Sequence, residues 1–169
     1  TITSNGSCQT ILTFTLTQPA VLSNTITSTN SNCGLSNGNT CANVSGGTAP
    51  LTYLWSNGVT TLCNNAVMAG AYTFTVTDVN LCRSVGSGLI NDIAGPVVSI
   101  LSSTNVSCYG GSNGAATTTI TGGVPSYTIS WSGNPATTQN VSNFTAGLEN
   151  ITVIDGAGCI GTASVNITQ

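Results

Sequence analysis

The sequence repeats itself with a period near 76 residues, and this self-similarity constrains the fold more than any other feature. GGTAPLTYLWSNG at residues 46–58 returns as GGVPSYTISWSGN at residues 122–134. TITSNGSCQTILTFTLTQ, at the start of the sequence, aligns without a gap on residues 152–169. We therefore predict three segments: the C-terminal hairpin of one repeat at 1–19, complete repeat 1 at 20–95 and complete repeat 2 at 96–169.

Every copy contains short segments in which apolar residues alternate with Ser, Thr or Asn. This period of two is typical of half-buried β-strands, and no stretch has the spacing of an amphipathic helix. Gly or Asn pairs interrupt the chain about every eight to twelve residues, as between the strands of sandwich folds. Each repeat is therefore predicted to be a β-sandwich of about six or seven strands. The segments are 11–17, 51–55, 71–77, 127–131, 149–154 and 163–168.

Charge is almost absent. There is no His, and the charged residues are Arg83, Asp78, Asp92, Glu149 and Asp155, for a net charge of −3. A nucleic-acid partner needs a basic surface to neutralise phosphates, and one Arg cannot form it. Anionic membrane surfaces are excluded for the same reason. We predict no nucleic-acid partner, no membrane insertion in this segment and no cofactor.

The carboxylates do not form a catalytic pair. Asp78 and Asp155 occupy equivalent positions in different repeats, so we expect them to be far apart and to act as turn residues in DVNLC and DGAGC. Neither turn contains the second acid that a calcium site would want. A serine nucleophile would lack its usual His base. The sequence therefore predicts neither an enzyme nor a metal site.

Two tryptophans occupy equivalent places in the repeats. Trp55 and Trp131 end the strand that follows the Gly-Gly turn, in phase with its apolar residues. The main interpretation is a core anchor, like the buried Trp on strand C of sandwich domains. The alternative is an exposed platform on which a sugar ring stacks.

Seven cysteines without a single His favour disulfides over zinc, and disulfides imply an oxidising, extracellular compartment. Cys41 and Cys63 have no counterparts in repeat 2, where Thr117 and Asn140 occupy their places. Residues gained together are best explained by a bond between them. We therefore predict a disulfide between Cys41 and Cys63.

Two pairing schemes are open for the cysteines that the repeats share. In the preferred scheme Cys33 pairs with Cys82 and Cys108 with Cys159, which leaves Cys8 unpaired within the chain. Simple up-and-down strand reversals would put both cysteines of a repeat at the same end of the sandwich. In the other scheme Cys8 pairs with Cys33 and Cys82 with Cys108, across the joins.

A series of short motifs follows one order along the chain: STNxxC, SNG, GG, a strand ending in Trp, AG, TVTD and a Cys, closed by ITQ. This order resembles the SprB-type repeat of large cell-surface adhesins from gliding and related Bacteroidetes. The resemblance implies immunoglobulin-like (Ig-like) sandwiches in many tandem copies. It also implies an extracellular filament, exported by type IX secretion, that serves adhesion or gliding. NITVI in repeat 2 and the Cys41 and Cys63 pair depart from the pattern.

These observations favour a structural and adhesive role. We expect disulfide-stapled sandwiches that act as stiff spacers in a filament, with short joins around Pro19 and Pro96 that restrict hinge motion. The expected partners are neighbouring repeats or other copies of the protein, and surface polysaccharide. The alternative function is a carbohydrate-binding module of a secreted polysaccharide-degrading protein, which an exposed Trp55 or Trp131 would favour.

Overall fold

The computed structural model describes residues 2–3, 9–10 and 12–169, with only the backbone described for the two N-terminal pairs. The described residues form strands, turns and loops, without a helix. The strands are β1 (Ile2–Thr3), β2 (Gln9–Thr10), β3 (Ser23–Thr29), β4 (Ser31–Asn32), β5 (Gly38–Ser45), β6 (Thr52–Trp55), β7 (Cys63–Val67), β8 (Gly70–Thr77), β9 (Arg83–Ile90), β10 (Asp92–Ile93), β11 (Pro96–Thr104), β12 (Gly114–Gly122), β13 (Thr128–Trp131), β14 (Asn140–Phe144), β15 (Gly147–Ile154) and β16 (Ile160–Ile167). The predicted all-β class is confirmed.

Each complete repeat contains six main strands in two three-stranded antiparallel sheets. The sheets are β3-β5-β7 and β6-β8-β9 in repeat 1, and β11-β12-β14 and β13-β15-β16 in repeat 2. In both repeats the first, second and fourth strands share one sheet, and the third, fifth and sixth share the other. This is the arrangement of strands A, B, E and C, F, G in an Ig domain, with strand D absent. The predicted tandem Ig-like sandwich is confirmed.

The N-terminal strand pair has the register of the last hairpin of repeat 2. In β1 and β2, Ile2 lies opposite Thr10. These residues align on Val153 and Gly161, which lie opposite each other in β15 and β16. The backbone at the start of the chain thus pairs as the sequence alignment predicts.

The core of repeat 2 is apolar and contains the inward-facing residues of both sheets. Its buried members are Val98, Val106, Ala116, Ile129, Trp131, Val141, Phe144, Ile151, Val153, Val165 and Ile167. Side chains from facing sheets interdigitate here, as in other aligned sandwiches. Burial of this set stabilises the repeat without an internal disulfide.

The core of repeat 1 is smaller and partly polar. Its buried apolar cluster is Ala42, Trp55, Phe74 and Val76, and Thr40 and Asn64 are also buried. Asn64 exchanges two side-chain amide hydrogen bonds of 3.1 Å with Asn57. Gly88 of β9 allows the sheets to approach closely, because a Cβ there would lie 2.6 Å from the hydroxyl oxygens of Ser28 and Thr40.

Candidate functional site at the join between the repeats

The segment that leaves repeat 1 is bound to the loop that carries Cys33. Strands β4 and β10 pair in parallel. The backbone N–H of Ser31 donates to the carbonyl of Asn91 at 3.1 Å, and the N–H of Cys33 donates to that of Ile93 at 3.0 Å. The connection toward repeat 2 is therefore held by hydrogen bonds in the manner of a sheet.

Asp92 strengthens this attachment with its side chain. Its Oδ1 accepts the backbone N–H of Gly34 at 3.0 Å and the hydroxyl of the buried Ser31 at 3.3 Å. A carboxylate that accepts a backbone N–H makes a charge-assisted bond, which is stronger than a neutral one. Asp92 thus ties the exit segment to the same loop from a second side.

A disulfide bond joins the two repeats. Cys33 of repeat 1 bonds to Cys159 of repeat 2, and their Cα atoms are 5.3 Å apart, within the usual range for a disulfide. Beside it, the side-chain amide of Asn32 donates to the carbonyl of Ala157 at 3.0 Å. A Cβ at Gly95 would lie only 2.8 Å from the Cβ of Cys159. The backbone of the segment that enters repeat 2 therefore passes close to the disulfide.

This bond corrects both pairing schemes derived from the sequence. The first cysteine of a repeat, Cys33, lies beside the exit segment, whereas the last cysteine, Cys159, lies beside the entry segment at Gly95. The preferred scheme was wrong because the two cysteines of one repeat lie at opposite ends of the sandwich. The scheme across the joins was also wrong, since it paired the last cysteine of one repeat with the first of the next.

Two further predicted half-cystines are thiols in this structure. Cys82 and Cys108 are exposed and have no disulfide partner among the described residues. Cys8 lies outside the described residues, so its predicted unpaired state stays a prediction.

The additional disulfide of repeat 1 lies inside one sheet. Cys41 and Cys63 are directly opposite each other in β5 and β7, with Cα atoms 4.1 Å apart, and their sulfur atoms are bonded. Thr117 and Asn140 form the corresponding opposite pair in repeat 2. The bond thus replaces an ordinary cross-strand pair and supports the repeat with the smaller apolar core.

Asp155 organises the turn that presents Cys159. Its Oδ2 accepts the N–H of Val124 at 2.8 Å, while its Oδ1 accepts those of Ala157 at 2.9 Å and Cys159 at 2.8 Å. The Val124 N–H lowers the pKa of Asp155 most; desolvation opposes it, and the other N–H donors add to the lowering. The ionised carboxylate therefore holds the cysteine backbone in position.

Asp78 does the same for Cys82 in repeat 1. It accepts N–H groups from Thr48 at 3.1 Å, Asn80 at 2.9 Å and Cys82 at 2.8 Å. Desolvation raises its pKa, but the hydrogen bonds from Thr48, Cys82 and Asn80 together outweigh that effect and leave the pKa below its usual value. Both aspartates thus lie in turns, one for each copy of the last cysteine.

Both tryptophans lie inside the sandwiches. Trp55 is 1% exposed, and its Nε1–H donates to the carbonyl of Thr61 at 2.9 Å. Trp131 is 6% exposed and donates in the same way to Thr138 at 3.0 Å. Burial with a satisfied N–H is the behaviour of a core anchor. Neither indole presents a face on which a sugar could stack.

The two tryptophans find their aromatic partners in different places: the partner of Trp55 lies in its own sheet, and that of Trp131 lies in the facing sheet. Trp55 packs on Phe74 of β8 at a ring distance of 4.9 Å, whereas Trp131 packs on Phe144 of β14 at 5.3 Å. Ile151 aligns on Phe74 and Val67 aligns on Phe144. An exchange of aromatic and aliphatic residues between two strands therefore preserves the aromatic pair. This explains why NITVI can replace an aromatic strand in repeat 2.

Other kinds of site find no support among the described residues. These residues contain no group of three His, Cys, Asp or Glu side chains that could hold a metal ion. Within the same part of the chain, no helix is long and apolar enough to cross a membrane.

Sequence reasoning missed the polar contacts of the join. Asn32, Asp92 and Gly95 were not singled out, although they bind or flank the disulfide loop. One usable signal was STN, which precedes the first cysteine in both repeats. Asn30, its last residue in repeat 1, accepts the backbone N–H of Asn91 at 3.1 Å.

The fold and the join define the chain as tandem Ig-like repeats that are covalently connected. The family model described as "SprB repeat" matches residues 25–60 and 100–136, one stretch in each complete repeat. The resemblance to SprB-type repeats is thereby confirmed at two places in the chain.

Among curated proteins, no sequence matches this chain. Solved structures that match the chain include the N-terminal eight Ig domains of Down Syndrome Cell Adhesion Molecule, with 15% identity, a TM-score of 0.40, and coverage of 88% of this chain and 25% of that one. Sidekick-1 Ig domains 1–4 match with 12% identity and a TM-score of 0.41, over 90% and 50% of the two chains. Murine CEACAM1b matches with 14% identity and a TM-score of 0.30, over 85% and 98%. The chain thus spans a quarter to a half of the length of the first two.

Proposed function

We propose that this chain is a stiff spacer segment of an extracellular, adhesin-type filament built from tandem repeats. The observation that carries the proposal is the disulfide between Cys33 and Cys159, which links consecutive repeats. Domains of one chain usually move relative to each other unless their interface is extensive. A covalent bond beside a hydrogen-bonded connection opposes that motion.

Three attachments act together at this join. They are the parallel pairing of β4 with β10, the Asn32 to Ala157 hydrogen bond, and the disulfide. A peptide connection alone would act as a hinge, whereas a second covalent link beside it leaves little freedom to bend or twist. Stiffness is the property that a spacer needs to hold a binding element away from a cell surface.

The N-terminal segment supports a longer tandem array. Phe14 and Leu16 are exposed, but they align on Val165 and Ile167, which are buried in the core of repeat 2. Large apolar side chains with an alternating pattern favour burial against a facing sheet. Residues 12–16 therefore have the character of the last strand of another sandwich.

The SprB matches and the disulfides support placement outside the cell. Disulfides persist in oxidising compartments and are rare where thiols are kept reduced. Export by type IX secretion, surface attachment and gliding are parts of this proposal that rest on the SprB resemblance. Neighbouring repeats are the main proposed partners.

Binding to surface polysaccharide stays a prediction without a located site. With Trp55 and Trp131 buried, such binding would have to use other residues. The structure offers no observation that favours the carbohydrate-binding alternative over the spacer.

The spacer role is tested by the distribution of angles between the repeats. Small-angle X-ray scattering of the oxidised chain should give one narrow range of maximum dimensions, and the Cys33→Ser/Cys159→Ser variant a broader one. The matched control is Cys41→Ser/Cys63→Ser, which removes a disulfide within repeat 1 and should leave the distribution unchanged. A broad distribution in the oxidised wild-type chain would refute the stiff spacer.

A further inference from the structure

The exposed thiols Cys82 and Cys108 are the repeat counterparts of the two bonded cysteines at the join. Cys82 aligns on Cys159, and Cys108 aligns on Cys33. Each thiol therefore occupies a position that carries a bond between repeats elsewhere in the same molecule. Cys82 lies at the entry end of repeat 1, near Pro19, and Cys108 lies near Gln169 at the exit end of repeat 2.

The entry end of repeat 1 has the geometry of the bonded one. The N–H of Cys82 donates to Asp78 at 2.8 Å, the same distance as from Cys159 to Asp155. A cleft of about 360 Å³ lies beside this turn. Pro19, Asp78 and Cys82 are among the residues that line it. At the join, the corresponding turn of repeat 2 receives Asn32 and Cys33 from the preceding repeat.

The exit end of repeat 2 likewise repeats the geometry around Cys33. The N–H of Val106 donates to the carbonyl of Thr168 at 2.9 Å, and the N–H of Thr168 donates to the side chain of Asn105 at 3.0 Å. At the join, the N–H of Ser31 donates to the carbonyl of Asn91, and the N–H of Asn91 donates to the side chain of Asn30, each at 3.1 Å. The loop that carries Cys108 thus has the same backbone attachments as the loop that carries the bonded Cys33.

The loop of Cys108 is also closed in the same way. Asn113 accepts the N–H of Ser107 at 3.1 Å, as Asn37 accepts that of Asn32 at 2.9 Å. Ser107 occupies the place of Asn32, and its hydroxyl accepts the side-chain amide of Asn113 at 2.9 Å and lies 3.9 Å from the Sγ of Cys108.

Exposed apolar side chains beside Cys82 and Cys108 favour another repeat of this type as the partner. Leu81, next to Cys82, is 81% exposed and has a left-handed backbone with φ 66°, where repeat 2 has Gly158. Tyr109, next to Cys108, is 92% exposed, where repeat 1 has Gly34 after its cysteine. Contact between Tyr109 and Leu81 would cover both surfaces. Their positions beside the cysteines make such contact compatible with the bond.

We propose that Cys82 and Cys108 each form a further disulfide between consecutive repeats. In a tandem array of this two-repeat segment, Cys108 of one segment is bonded to Cys82 of the segment that follows it. The two thiols would lose two protons and two electrons to a disulfide oxidant such as glutathione disulfide, whose S–S bond is reduced to two thiols. Every join would then carry one bond from the first cysteine of a repeat to the last cysteine of the next. This goes beyond the spacer role, because it assigns a covalent site at each end.

A longer chain tests the proposal directly. Residues 1–169 are followed by a second copy of residues 19–169, so that the new Gln169–Pro19 junction repeats the natural Gln18–Pro19 sequence. In the junction variant, Cys82→Ser in the first copy and Cys108→Ser in the second leave only the thiol pair at the new join. The matched control carries the opposite substitutions and retains the two outer thiols. Both contain Cys8→Ser.

The chains are oxidised with glutathione disulfide at low concentration, and free thiols are counted before non-reducing peptide mass mapping. The junction variant should lose both thiols and yield a peptide linking Cys108 to Cys82 in a monomeric chain. The control should retain two thiols. Identification of the link between Cys33 and Cys159 in the same map shows that the repeats have folded.

Three results would overturn the proposal. One is retention of both thiols in the junction variant although Cys33 is linked to Cys159. Another is loss of thiols only through bonds between separate chains. The third is absence of the Cys33 to Cys159 link itself, since it is the template for the new join. The scattering experiment is independent, because it examines stiffness at the existing join and can fail while this bond still forms.

Discussion

Cys33 and Cys159 are separated by 126 residues in sequence, yet their Cα atoms lie 5.3 Å apart and their sulfurs are bonded across the join of two sandwiches. The bond connects the exit end of one repeat with the entry end of the next. Repeat 1 contributes its first cysteine to this join, and repeat 2 contributes its last. The shared cysteines that are bonded therefore link two modules, and the Cys41–Cys63 bond is the one that lies within a module among the described residues.

Removal of the join disulfide should uncouple the unfolding of the repeats. In the chain-entropy description, a cross-link over this separation stabilises against complete unfolding by on the order of 5 kcal/mol. We expect Cys33→Ser/Cys159→Ser to split one urea transition into two, with repeat 1 unfolding first because its apolar core is smaller. Hydrogen exchange measured by mass spectrometry on peptides from each repeat resolves the two transitions. A single unchanged transition would contradict this coupling.

Loss of the internal disulfide should weaken repeat 1 alone. Cys41 and Cys63 are 22 residues apart, and closing a loop of this size contributes about 3 kcal/mol in the chain-entropy description. In the Cys33→Ser/Cys159→Ser background, where the repeats are expected to unfold separately, we expect Cys41→Ser/Cys63→Ser to lower the urea midpoint of repeat 1 and to leave that of repeat 2 in place. Thr117→Ser/Asn140→Ser, at the corresponding positions, is the control and should cost much less.

Truncation of a buried indole should be severe. Trp131→Ala removes the ring that packs on Phe144 and opens a cavity, at a cost of about 3 to 5 kcal/mol. The control, Tyr109→Ala, truncates an exposed ring and should change the stability of the isolated chain by less than about 0.5 kcal/mol. Chemical denaturation measures both. Equal effects would contradict the assignment of Trp131 to the core.

Acid should destabilise the turns that present the cysteines. The folded-state pKa values of Asp155 and Asp78 lie below the usual value of 3.8, so their contribution is present above that pH and is lost as pH falls through the folded values. We expect thermal stability to decline below about pH 4. Asp155→Asn should be less stable at pH 7, and the difference from wild type should shrink in acid. A difference that is independent of pH would disprove this linkage.

An added methyl group at Gly88 should strain repeat 1. The new Cβ would lie 2.6 Å from the hydroxyl oxygens of Ser28 and Thr40, so the two sheets would have to separate. Overpacking of this kind costs about 1 to 3 kcal/mol. Ser87→Ala, on the outer face of the same strand, is the control and should be nearly neutral. Calorimetry of both variants tests how close the sheets must be.

Much of the fold could be predicted because its signals are local or repeated. Alternation in AYTFTVT identifies a strand directly, since successive side chains point to opposite faces. The alignment of Asp78 on Asp155 also predicted that both carboxylates lie in equivalent turns of different repeats, where each accepts backbone N–H groups. The pairing of Cys41 with Cys63 could be proposed because both are missing from the other repeat.

The pairing of the shared cysteines could not be derived in this way. Cys33, Cys82, Cys108 and Cys159 are equally compatible with several schemes, because repetition makes positions equivalent without saying which ends of the sandwiches meet. That choice depends on the direction in which β9 leaves repeat 1 and on the pairing of β10 with β4. Sequence by itself determined the repeats and the strands with the clearest alternation, β6, β8, β13, β15 and β16; the strand predicted at 11–17 was wrong, because residues 12–17 form no strand. Only the tertiary structure decided that the first cysteine of one repeat faces the last of the next, since a disulfide requires two Cα atoms within about 7 Å and chain direction controls which are brought that close.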